Sequence, residues 1–215
     1  FYCIVRMAGQ KFAKPWIGYV CLGLIVAAGI MFKYNFGIVV VGFLIAGLTI
    51  TEYRSLLLNN RMLLSVATAA VILTPHVLWV LNHATIASRK TVQTLTGDRS
   101  DSWFDNMWSG SQAFAISAGA CCGLTLFVFA VLYVRKNNTI PEPTMKIRSA
   151  MLLIERFLIV VVAILFMLVL SGNAIEFKNR WFQPFVCLLP AYLVLRFGGH
   201  VLSRPRMQNL AQVMT

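Results

Sequence analysis

Acidic side chains are scarce in this 215-residue chain: Glu52, Asp98, Asp101, Asp105, Glu142, Glu155 and Glu176 are all seven of them. Charged residues of both signs make up only 12% of the sequence, against 59% hydrophobic ones. Soluble domains carry about 25% charged and roughly 45–50% apolar residues, so a soluble globular enzyme is excluded. Polar tracts and a glycine at every third position are also missing, which excludes a disordered or collagen-like chain. Cysteine occurs five times, but Cys3, Cys21, Cys121, Cys122 and Cys187 show neither a C-x-x-C spacing nor an accompanying histidine. Adjacent Cys121 and Cys122 leave one helix in different directions, so packing thiols are expected rather than metal ligands or a disulfide framework. The chain starts at Phe1 without an initiator Met and shows no charged n-region followed by a cleavage site. No signal peptide is expected, and the chain reads as a piece of something longer.

What the sequence does hold is long apolar blocks and basic residues. A membrane helix needs about 20 mostly apolar residues, with a usable range of roughly 17–25. Trp16–Phe32, Phe36–Thr51, Met62–Leu81, Gln112–Val134, Met151–Ser171 and Trp181–Phe197 meet or approach that length. Backbone groups in lipid must be satisfied within the segment or in a closed barrel, and these blocks lack a barrel's alternation. The fold class expected is therefore all-α: a polytopic membrane protein with about six transmembrane helices. The whole of 1–215 reads as one transmembrane domain, with an outer connector over 82–111 and a cytoplasmic tail over 198–215. In the connector, Trp103, Phe104, Met107 and Trp108 share one helical face and Asp101 and Asp105 another, which predicts an interfacial helix on the outer leaflet.

Lys and Arg number 19 and give a net charge of +12. Basic loops stay on the cytoplasmic side. Placing the N-terminal segment inside leaves Lys33, Arg89, Lys90, Arg99, Lys178 and Arg180 outside and the other thirteen cations inside. Both ends are then cytoplasmic, and most of the charge is an orientation signal. No nucleic-acid partner is expected, because the aromatic and basic interleaving of single-strand binders is absent.

Ionisable groups at membrane depth are expensive and invite a functional reading. Lys33-Tyr34-Asn35 is the one break in an apolar run from Trp16 to Thr51. It is either a snorkelling lysine with an interfacial tyrosine or a cation and a hydroxyl set for a phosphate at headgroup depth. Lys178 and Arg180 lie outside, against the basic-inside bias, just ahead of the sixth block; they anchor the interface with Trp181 or bind a lipid phosphate, for which arginine supplies a fork and lysine a point charge. Pro75 removes a helical donor, and beside it His76 and Trp79 either pack or line a site. Paired carboxylates such as Asp101 and Asp105 can hold a sugar or a metal, but no His or Glu supports them, and no metal site or cofactor is evident.

Four segments, Gly29-Ile30-Met31-Phe32-Lys33-Tyr34-Asn35, Glu52-Tyr53-Arg54-Ser55-Leu56-Leu57, Pro75-His76-Val77-Leu78-Trp79 and Phe177-Lys178-Asn179-Arg180-Trp181-Phe182-Gln183-Pro184, occur in order. In order and spacing they resemble bacterial members of the dolichyl-phosphate-mannose protein mannosyltransferase-like family, the C-type glycosyltransferases of the inner membrane. The resemblance runs from about Gly23 to Pro190. It implies transfer of a sugar from a polyprenyl-phosphate donor to a periplasmic glycan, lipid or protein acceptor such as lipopolysaccharide core. It also implies that Lys33, Tyr34, Lys178 and Arg180 face the lipid phosphate, with His76 and Trp79 lining the site. Cations preorganised there would stabilise the charge that builds on the departing polyprenyl phosphate. The family's Asp-Glu pair of the first large periplasmic loop is missing here. The resemblance thus implies a C-terminal portion with no catalytic residue of its own, inactive alone, or a shortened paralogue. A transporter or flippase-like protein for lipid-linked substrates, with Pro75 and Pro190 as helix breaks and Lys33 as its anion site, is the alternative reading. A structural membrane subunit is the third.

Overall fold

The structure, a computed structural model, describes residues 1–9, 14–83, 102–134, 145–172, 182 and 186–197. Every regular element among them is an α-helix: α1 (Tyr2–Ala8), α2 (Pro15–Phe32), α3 (Phe36–Leu48), α4 (Thr51–Leu57), α5 (Met62–Asn82), α6 (Trp103–Val134), α7 (Met145–Leu170) and α8 (Leu189–Phe197). Among the described residues α2, α5, α6 and α7 are long and apolar enough to cross a membrane, and α3 with α4 makes a fifth if the bent pair is one span. The all-α polytopic architecture stands.

Small residues set the helix contacts, as expected where lipid removes most of the hydrophobic drive and close packing decides association. A Cβ on Gly23 of α2 would lie 2.5 Å from the Ser65 carbonyl oxygen and 2.8 Å from Thr68 Cβ, both on α5. Gly42 of α3 plays the same part toward α7, where a Cβ would meet Val161 at 2.8 Å and Phe157 at 3.1 Å. One gap further on, the rings of Phe43 and Phe157 stack with centroids 4.1 Å apart. Along α7, Leu153, Phe157, Val161, Leu165 and Val169 recur every four residues and are buried together. That stripe is the core. Tyr19, Ile50 and Tyr53 extend it to the far end of the bundle, where α1 adds Cys3, Ile4 and Met7. The Cys3 Sγ lies 3.7 Å from the Gly18 carbonyl, and burial pushes its thiol pKa up, which suits a neutral packing group. All five cysteines are free thiols.

Three sequence expectations change. The second span, Phe36–Thr51, stops at Leu48: α3 has 13 residues, about 20 Å at 1.5 Å per residue, and α4 leaves at 118° to it. Two β-branched threonines flank Ile50 there, and the Thr49 hydroxyl donates to the Ala46 carbonyl at 2.6 Å, turning the chain back on its own helix. The exposed carbonyl of Thr49 accepts from Arg156 Nη1 at 2.6 Å. Second, Trp103 to Trp108 do not form a separate interfacial helix; they are the first turns of α6, whose 32 residues reach about 48 Å, well beyond a bilayer's apolar core. Ser102 Oγ accepts the Asp105 N–H at 3.4 Å and starts that helix, so Asp105 stands where a helix N-terminus favours an acid. Third, Pro190 does not lie inside a helix: turn residues 187 and 188 interrupt the sixth block, and Pro190 follows in the first turn of α8, where its missing donor is not needed. The rest of the sixth block, residues 181 and 183–185, lies outside the described residues.

The ends of the bundle can be told apart without a membrane. Gly172, left-handed at φ +68°, closes α7 and takes the Trp103 ring against it, so the start of α6 meets the end of α7. Gly23 sits beside Ser65 and Tyr34 beside His76, an equal advance on both chains, so α2 and α5 run parallel.

Candidate functional site

The α2–α3 turn is built from the backbone outward. Lys33 takes an extended conformation with φ −157° and ψ 115°, which ends α2. Its N–H still reaches the Gly29 carbonyl at 3.0 Å, while its own carbonyl accepts the Phe36 N–H at 2.8 Å and opens α3. The Phe36 ring lies where any side chain on residue 29 would be, so Gly29 is what lets the two helices turn within three residues. Tyr34 stands at the apex, 52% exposed.

Opposite this turn, α5 passes Pro75 unbroken. The Thr74 hydroxyl donates to the Ala70 carbonyl at 2.7 Å, in the turn where proline removes a backbone donor. His76, Trp79 and His83 follow on one helical face. Tyr34 Oη and His76 Nε2 lie 3.2 Å apart, joining segments 42 positions distant in sequence. The rings form a ladder: Tyr34 on His76 at 5.8 Å, His76 on Trp79 at 6.5 Å and Trp79 on His83 at 5.0 Å between centroids, with interplanar angles of 22°, 16° and 17°. His83 Nδ1 meets the Trp79 carbonyl at 3.0 Å. A carbonyl only accepts, so Nδ1 carries the proton and Nε2 is left as the second polar edge.

Of the residues singled out in the sequence, Lys33, Tyr34, His76 and Trp79 therefore come together at one end of the bundle. Lys178 and Arg180, with Asp101, lie outside the described residues. His83 was not singled out as a site residue, although its spacing of seven from His76 puts both on one face of a helix. Arg156, one of the thirteen cations read as an orientation signal, also caps the α3–α4 break. Among the described residues no three His, Cys, Asp or Glu side chains gather to hold a metal ion. What the assembled groups can do is bind an oxyanion beside an apolar phase: a lysine, a phenol and two imidazoles, with exposed apolar surface of α2 and α5 next to them.

The chain is thus a polytopic all-α membrane protein that gathers a lysine, a tyrosine, two histidines and a tryptophan at one end of the bundle. It is similar to the lipopolysaccharide core galacturonosyltransferase RgtB of Rhizobium johnstonii, 28% identical over 197 residues that are 91% of this chain and 38% of the relative. It is also similar to the lipopolysaccharide core galacturonosyltransferase RgtA of the same organism, 28% identical over 178 residues, 83% of this chain and 35% of the relative. The chain spans little more than a third of the length of these relatives. No family model and no solved structure matches it.

Proposed function

We propose that the chain is part of a membrane glycosyltransferase that takes a sugar from a polyprenyl-phosphate donor and delivers it to an envelope glycan such as lipopolysaccharide core. The observation that carries this reading is the meeting of the Lys33 turn with the Pro75–Trp79 segment, two of the four segments behind the family resemblance. The names of the two relatives support sugar transfer to lipopolysaccharide core and make a hexuronate the donor sugar to try first. In this reading Lys33 and Tyr34 take the donor's phosphate, with Lys178 and Arg180 completing the site from the segment before α8. Transfer leaves polyprenyl phosphate with one more negative charge than the diester it came from, and fixed cations lower the barrier to that departure. The carboxylate that would accept the acceptor's proton belongs to a segment outside these residues. The donor enters from the inner membrane of a bacterium, with the site on the periplasmic side and both ends of the chain in the cytoplasm.

The test is transfer by the full-length protein from a polyprenyl-phosphate hexuronate to a lipopolysaccharide core acceptor. Charge-assisted hydrogen bonds contribute about 1.5–3 kcal/mol, or roughly 10–100-fold. Lys33→Ala and Arg180→Ala should each lower kcat/KM by that factor while the protein still inserts in normal amount. Unchanged transfer in both variants would refute the phosphate role.

A further inference from the structure

Resting on the lipid-phosphate reading above, the Tyr34–His76 contact says more about how the anion is recognised. One proton lies in that 3.2 Å contact, and its owner decides what Tyr34 offers a ligand. If the phenol donates to Nε2, its oxygen lone pairs are what remains for a ligand, and they repel an anion. If Nε2–H donates to the phenol oxygen, the hydroxyl proton is released for a ligand and is strengthened as a donor by the bond its oxygen accepts. An oxyanion therefore selects the second arrangement.

The imidazole is also held in place for that task. Its ring is followed by Trp79 at 6.5 Å, which is braced in turn by His83 at 5.0 Å. The His83 Nδ1–H is committed to the Trp79 carbonyl at 3.0 Å. Near-parallel rings at His76 and Trp79 of α5 and at His83, which caps it, thus flank His76 on one side, while Tyr34, 52% exposed, presents its hydroxyl at the end of the ladder. We propose that His76 is a positioning residue that donates Nε2–H to Tyr34 Oη and so turns the phenol proton toward a lipid-linked phosphate. The consequence is selection of a phosphorylated prenyl chain over its neutral alcohol.

Binding by the full-length protein in nanodiscs tests this, with farnesyl phosphate as the probe and farnesol as the neutral control. The wild type should bind the phosphate at least about tenfold more tightly than the alcohol. Tyr34→Phe and His76→Phe, which keep the stacked rings, should each weaken phosphate binding about tenfold, with farnesol affinity unchanged. The double variant should be no weaker than either single one, because both remove the same proton chain. His76→Gln, which returns an N–H near the place of Nε2, should recover most of the loss. Full phosphate affinity in His76→Phe overturns the proposal, as do two losses that add to about a hundredfold without recovery in His76→Gln. Equal loss of farnesol binding would reduce His76 to a structural role and overturn it too. A wild type that fails to prefer the phosphate removes both this inference and the lipid-phosphate reading, whereas the other outcomes leave that reading standing.

Discussion

Gly23→Leu should unseat α5 from α2 and dissolve the candidate site while the α3–α7 core survives. The reason is the kind of atom that a new side chain meets. A Cβ at this position falls 2.5 Å from the Ser65 carbonyl oxygen, a backbone atom that cannot swing aside as a flexible side chain can. Only separation of the helices relieves the clash. Helix α5 has little else to hold it, since Ser65 and Ala69 are its only buried residues. Overpacking of this sort costs about 3 kcal/mol, the upper end of the usual range, which is more than a hundredfold in the ratio of docked to undocked α5. The check is cross-linking of Tyr34→Cys to His76→Cys by a short bifunctional thiol reagent, because contact through the ring tips leaves the two Cβ atoms too far apart for a direct disulfide; cross-linking should succeed with Gly23 present and fail with Gly23→Leu. Gly37→Ala is the control, because nothing lies within 4 Å of a Cβ there. Equal cross-linking in both backgrounds would show that α5 is held by something other than this seam.

Arg156→Leu should lower the stability of the folded protein in detergent by about 2–3 kcal/mol while leaving membrane insertion as good as before or better. Two opposing effects meet at this residue. Arg156 lies inside the apolar window Ile147–Leu170 of α7, where a charge is costly to insert, on the order of 2.5–3.5 kcal/mol at a helix centre. In the folded state its Nη1 donates to the Thr49 carbonyl at 2.6 Å, at the C-terminal, partially negative end of α3. That carbonyl belongs to the break at which α4 departs by 118°, and without the guanidinium it would lose its partner beside apolar surroundings. A charge-assisted bond of this type contributes about 1.5–3 kcal/mol. Insertion and stability are therefore expected to move in opposite senses, which a general loss of folding would not produce. Arg156→Lys should recover part of the stability, since an ammonium keeps the charge but not the planar fork. A thermal midpoint for Arg156→Leu equal to or above that of the wild type would dismiss the cap.

These two positions mark where sequence reasoning ran out. The apolar blocks were legible because a bilayer imposes length and backbone satisfaction on each segment separately; α2 and α5 begin and end close to where hydropathy placed them, and α7 ends there although it starts at Met145, ahead of the expected Met151. The Lys33 turn was legible for the same reason, as a polar interruption in an otherwise continuous run. Block boundaries failed where a neighbour decides them. The α3–α4 break carries no proline, and the arginine that caps it stands 107 positions away. Trp103 and its aromatic companions looked like a surface helix by periodicity, yet the helix simply continues through them into α6, because a period of 3.6 does not reveal where an apolar face stops lying flat and starts to cross. His83 shares a face with His76, but a face becomes a site only when another element comes to it.

By itself, then, the sequence determined a membrane protein of packed helices, a tight polar turn between the first two apolar blocks and a histidine and a tryptophan after a proline in the third. Each of these follows from one segment and its solvent. That the turn and the third block form one ladder of rings was decided only by the tertiary structure, because it depends on Gly23 admitting the backbone of α5 closely enough for Tyr34 to reach His76.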